Sequence, residues 1–181
     1  MNIFDVLEAR YSHKEGFLPD AVPLADLEKI ASAGLSAPNG VNRQVVRLVI
    51  LPDRASLDPV CAVASTIGLD TAPAAIAVFT DSSITPVAPG VFNFEKEDYS
   101  AAVTQMLLAA TGLGYSSLWL DSPYFDLVNK RKASEVMGAP DSFCLWAVLP
   151  VGKPDGAGSR REKLAFEARV SYGRFGLGKK E

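Results

Sequence analysis

The stretch Ala9-Arg10-Tyr11-Ser12-His13-Lys14 crowds three potential cations and a hydroxyl where a short amphipathic run, Ile3, Phe4, Val6 and Leu7, gives out. One reading is electrostatic support for a helix end. Cations in a last turn offset its partial negative charge, each by roughly 0.3–1 kcal/mol. The other is an anion site. Arg10 and Ser12 alternate, so on an extended backbone their side chains leave the same side. A guanidinium fork, a hydroxyl and the Lys14 ammonium together suit a phosphate.

Three further polar clusters carry the same kind of double reading. Pro38, Asn39, Gly40, Asn42, Arg43 and Gln44 make either an ordinary turn before a strand or a rim of amides able to read the edge of a planar heterocycle. Trp119-Leu120-Asp121-Ser122-Pro123 is either a core tryptophan with a capped turn or part of a site at a strand end. Arg160, Arg161 and Lys163 are either a solvated charge run or more anion ligands. His13 is the only histidine in the chain, so neither a Ser-His-Asp triad nor a histidine-rich metal site is credible. No carboxylate pair stands out for acid–base work. The chain thus has anion ligands and ring-edge amides without a catalytic engine. That suits a protein whose chemistry comes from a cofactor.

Composition narrows the classes. The 181 residues are 48% hydrophobic and 22% charged, enough for one domain with a substantial core. A net charge of −3 argues against nucleic acid as a partner. No apolar stretch is long enough to span a bilayer, and the N-terminus lacks a signal-peptide pattern. A cytoplasmic protein is expected. Cys61 and Cys144 lie far apart in apolar runs and are expected to be buried free thiols.

The elements that must position these groups alternate along the chain. Helices are expected over 2–10, from Pro23 to a stop at Gly34, over 56–67, from an Asp98 N-cap to Gly112 or Gly114, and over 126–137. Strands are expected at 45–51, 74–79, 116–120 and 143–152. Residues 81–95 read as a long loop. Alternation by itself suggests a doubly wound α/β sheet, yet no Gly-rich phosphate turn follows the first strand. A bound phosphate would therefore be held by side chains.

The ordered series "ARYSHK", "LSAPNGVNRQ", "APAAIAVF", "DYSAAVTQMLLAATGLGYSSLWL", "LPVGKP" and a basic segment ending "VSYGRF" resembles the FMN-dependent nitroreductase family across nearly the whole chain. Arg10, Ser12 and Lys14 match that family's Arg-x-Ser-x-Arg/Lys motif. Pro38, Asn39, Asn42 and Gln44 match its amide-rich turn. The resemblance implies an α+β sandwich with a mixed, mainly antiparallel sheet in place of the doubly wound one. It also implies a homodimer of single-domain subunits, 1–181, with FMN at the interface. Arg10 and Ser12 would meet the phosphate and Lys14 the ring and ribityl chain. Pro38, Asn39, Gly40 and Asn42 would reach the ring from the partner copy, and Leu120, Asp121 and Ser122 would lie near N5. Arg161 and Lys163, with Arg160 as runner-up, would complete the phosphate site. The implied activity is hydride transfer from NAD(P)H through the flavin to a nitroaromatic or quinone. A specialised flavin enzyme of the same fold, such as a dehydrogenase, a dehalogenase or a flavin-destroying enzyme, and a non-catalytic flavin binder are the alternatives. The family often has Pro-Trp where this chain has Val45-Val46.

Overall fold

A computed structural model describes residues 2–84, 93–158 and 160–176. Helix α1 (Ile3–Ala9) starts from an Asn2–Asp5 capping box. α2 (Leu24–Leu35) starts after Pro23. Then come β1 (Val46–Leu51), α3 (Arg54–Val63), α4 (Ile67–Thr71), β2 (Ala74–Asp81), α5 (Glu95–Gly112), β3 (Ser116–Ser117), α6 (Leu127–Val136) and β4 (Phe143–Gly152). The four strands lie in the order β1-β2-β4-β3, and every pairing is antiparallel. The sheet is therefore not doubly wound, and the α+β architecture holds.

Helices cover both faces of the sheet. One core packs Leu57, Val60 and Leu69 from α3 and α4 with Tyr124 and Ala133 against Ala75, Ala77 and Phe79. The other packs Leu27 and Ile30 of α2 and Val103 and Met106 of α5 against Ile76, Val78 and Leu149. β2 is buried on both sides, which explains its unbroken apolar run, a pattern more usual in parallel sheets. The alternating order of elements is why the sequence by itself suggests a parallel arrangement. An irregularity at Val78/Phe79 leaves Trp146 without a register partner.

Several boundaries differ from the sequence expectation. Gly34 does not end α2; it lies inside the helix, where a Cβ would sit 2.6 Å from Met106 Cγ. Its role is close packing against α5. The helix expected over 56–67 is two helices, separated where Ala64 takes φ −145° and ψ 78°. Asp53 caps the first by accepting from Ser56 N–H. Asp98 is not the N-cap of α5. That helix begins three residues earlier, after Phe94, and Asp98 is buried. The strand expected over 116–120 shrinks to Ser116–Ser117 plus a bridge from Leu120 to Val148. Cys61 is buried as expected, but Cys144 is only half-buried. Residues 85–92 of the expected 81–95 loop lie outside the described residues.

Candidate functional site

The segment after α1 is held extended against the sheet. Arg10 leaves the helix at φ −64°, ψ 125°. Ser12 forms a parallel bridge with Ser117 of β3. His13 is completely buried. Its N–H donates to Ser117 O at 3.1 Å and its Nε2–H to Gly16 O at 2.7 Å. Its ring is clasped edge-on by Tyr11 and Phe17. Alternation then sends Arg10, Ser12 and Lys14 the other way. They line a cavity of about 280 Å³ whose opposite wall is Gly158, Arg160, Arg161 and Lys163. Five cationic side chains face one carboxylate there, Glu15. The cavity suits an anion. Gly158 permits this closure, since a Cβ there would stand 2.1 Å from Tyr11 Cε2. Arg160 donates from Nη1 to Glu8 O at 2.7 Å, so its guanidinium is partly committed to the end of α1.

The amide-rich turn has a different basis. Pro38 is exposed before it, and Gly40–Asn42 is a short distorted 3-10 turn. Val41, Asn42 and Gln44 all have positive φ, at 47°, 58° and 53°. Such values are uncommon for residues with a Cβ, and for β-branched Val41 a true outlier. Asn39 Oδ1 accepts from Gln44 N–H at 3.0 Å. Asp98 Oδ1 accepts from Gly40 N–H at 2.7 Å. Beside the turn lies a hollow of about 380 Å³ bordered by Asn39, Gln44, Arg47 and Asp98 on an apolar floor that includes Leu48 and Ala102.

The third group sits at the end of β3. Leu120 is buried and exchanges two hydrogen bonds with Val148. Asp121 precedes a 3-10 turn, Ser122–Tyr124, and its carbonyl accepts from Tyr124 N–H at 2.8 Å. Trp119 packs edge-on against Tyr99, which stacks on Trp146 at 4.8 Å. Lys130 caps that stack 4.7 Å from the Trp146 ring.

Of the sequence-predicted residues, the fold thus brings Arg10, Ser12, Lys14, Arg161 and Lys163 into one cleft. Pro38, Asn39, Gly40, Asn42, Leu120, Asp121 and Ser122 do not line it. Sequence reading missed Tyr11, Gly158 and Asp98. Tyr11 is masked by its neighbours' charges, and Gly158 looks like loop filler. Asp98 at the start of an apolar helix imitates a cap.

A model of the nitroreductase family matches residues 7–65, which include both polar motifs. A protein of Archaeoglobus fulgidus with the provisional name NADH dehydrogenase/NAD(P)H nitroreductase is 33% identical over 146 residues, covering 79% of this chain and 78% of its own. The chain belongs to the nitroreductase family. A similarly named protein of Methanothermobacter thermautotrophicus is 27% identical, over 85% of this chain and 78% of its own. Among solved structures, one of a Bacteroides thetaiotaomicron protein with the same provisional name superposes with a TM-score of 0.82 at 26% identity. It covers 97% of this chain and 99% of that one. A provisionally named nitroreductase of Desulfovibrio desulfuricans, solved in complex with FMN, has the same fold. Its TM-score is 0.80 at 22% identity, covering 95% and 97% of the two chains. Where the resemblance would lead one to expect Pro-Trp, this nitroreductase-family chain has Val45 and Val46, of which Val45 is buried. No helix among its described residues is long and apolar enough to cross a membrane.

Proposed function

We propose that this chain is an FMN-dependent oxidoreductase that transfers hydride from NAD(P)H to an electron-poor acceptor, a nitroaromatic or a quinone. The observation that supports it is the cationic cleft between residues 10–15 and 158–163, in a family with an FMN-bound structural neighbour. The cleft fits a phosphate in charge and in donor type. Arg10 supplies a planar fork, Ser12 a hydroxyl, and Arg161 and Lys163 the remaining positive charge. Arg160, bonded to Glu8 O, steadies the wall and contributes only secondarily.

FMN, when bound, is the group that accepts and donates the hydride. The protein's own residues bind, orient and tune. Lys14, one alternation beyond Ser12 and lining the same cleft, would bring an ammonium to the flavin, whose charge would favour the electron-rich state. Pro38, Asn39, Gly40 and Asn42 of a second copy, with Leu120, Asp121 and Ser122, would hold the ring system. No side chain is assigned a catalytic role. The homodimer this requires has surface to spare: Phe4 and Ile3 on α1, and Leu164, Phe166 and Phe175 in the tail, are exposed in the single chain. The same proposal takes 1–181 as one FMN-binding domain acting in the cytoplasm.

The visible absorption spectrum of the purified protein tests this reading. A yellow protein with flavin bands that oxidises NAD(P)H in the presence of a nitroaromatic or quinone is expected. A colourless protein that takes up no FMN on titration would overturn it. Light scattering at micromolar protein is expected to give twice the mass of the chain, and a monomer would remove half of each site.

A further inference from the structure

The turn Asn39–Gln44 keeps a shape that its own sequence disfavours, with three left-handed residues that are not glycine. Asn39 Oδ1, accepting from Gln44 N–H, supports it from within, and further support comes from outside the turn. Its far end is tied to β1, where Arg47 Nη1 donates to Gln44 O at 2.6 Å. Its near end is gripped by the start of α5 in two ways. Gly40 N–H donates to Asp98 Oδ1 at 2.7 Å. The Phe94 ring lies so close over Gly40 that a Cβ would be 2.6 Å from Phe94 Cγ.

Asp98 is an expensive way to make that grip. It is only 3% exposed, and its Oδ2 has no partner among the described residues. Burying a carboxyl group on so few hydrogen bonds costs desolvation that an apolar side chain of similar size would avoid. Stability alone does not account for it, whereas the conformation it imposes on Gly40 does.

We infer that Asp98 is a positioning residue for the flavin. Acting through the Gly40 amide, it fixes the turn so that Asn39 and Asn42 meet the ring edge. This rests on the reading above that the turn contacts FMN.

The test pairs two readouts on wild type, Asp98→Ala and Asp98→Asn. Amide hydrogen exchange at residues 40–44 in the apo-protein reports the anchor without any flavin. Titration with FMN, followed by its visible spectrum, reports the consequence. Asp98→Ala removes the acceptor. Gly40 exchange is expected to accelerate about tenfold or more, and FMN affinity to fall about tenfold. The bound spectrum should move toward that of FMN in water. Asp98→Asn keeps an oxygen acceptor and is expected to restore all three. Phe94→Ala releases the other half of the grip on Gly40 without altering any residue read as a flavin contact. It should give the same faster exchange and weakened binding, and it decides the matter if Asp98→Ala does not fold. Unchanged exchange at Gly40 would overturn the anchor. Faster exchange with unaltered affinity and spectrum would overturn the positioning role and leave the flavin reading standing. A wild type that binds no FMN would overturn the flavin reading and this inference with it.

Discussion

In the cleft, Arg10, Ser12 and Lys14 stand on extended backbone beside β3, and the groups offered to an anion are side-chain tips. In the turn at 39–44 the backbone itself is strained, and its shape is held from another element by Asp98. The first kind of site is a sum of nearly independent contacts, each of which can be removed alone. The second is a single conformation that is kept or lost as a unit. The two regions should therefore respond differently to mutation. In the cleft, losses should follow the chemistry of the deleted group. In the turn, any change that frees Gly40 should have the same consequence.

The largest separable effect in the cleft is expected from Arg10→Ala. A hydrogen bond to a charged group contributes about 1.5–3 kcal/mol, so FMN should bind some ten- to a hundredfold more weakly, as read by titration of the apo-protein. Lys14→Met should act mainly on chemistry. Positive charge near the ring favours the reduced state over the oxidised one, an effect of differential binding. The two-electron potential should fall by tens of millivolts, with ~30 mV equal to about 1.4 kcal/mol, while FMN affinity falls less than in Arg10→Ala. Equal potentials in a spectroelectrochemical titration would make Lys14 an ordinary surface charge. Ser12→Ala should cost about 0.5–1.5 kcal/mol of affinity, the worth of a neutral hydrogen bond. A loss larger than that of Arg10→Ala would break the idea of additive contacts.

The smallest effect on flavin is expected from a change in the core beneath the Ser122–Tyr124 turn. Tyr124 is fully buried, and its hydroxyl has no hydrogen-bond partner among the described residues. Burial, with a lesser contribution from the nearby Cys61 thiol, pushes that hydroxyl well above the usual tyrosine range. The folded state thus favours the neutral phenol. Below the unfolded value of about pH 10 the phenol is neutral in both states, and its ionisation costs no stability. As pH rises beyond that, the unfolded chain ionises first and stability falls by up to about 1.4 kcal/mol per pH unit. Tyr124→Phe should lose no stability at neutral pH, should be less sensitive to alkali, and should leave FMN affinity unchanged. Thermal melts at pH 7 and pH 11 check the first two.

The same contrast explains what was legible in the sequence. The cleft could be read because side-chain types and their alternation are written directly in residues 10–14, and the cations at 160–163 stand out by composition. β4 was legible from the length of its apolar run, and α6 as a helical stretch with a basic face. The long apolar run of β2 was legible as a strand but not as an antiparallel one, because burial on both faces erases the alternation that marks direction and exposure. Gly34 and Asp98 were misread for a shared reason. A glycine near a helix end and an aspartate near a helix start imitate caps, whereas here one admits Met106 and the other accepts from a distant amide. Contacts between elements far apart in the chain leave no local signature. Likewise, the turn's polar composition was visible while its left-handed backbone was not.

Parallel titration of the apo-protein with FMN and with riboflavin, which lacks the phosphate, addresses the cleft most directly. If the cleft holds the phosphate, wild type should prefer FMN by about a hundredfold or more, the worth of two charge-assisted contacts. Arg10→Ala should cut that preference about tenfold or more while leaving riboflavin affinity unchanged. Equal affinities of the wild type for the two flavins would contradict the account.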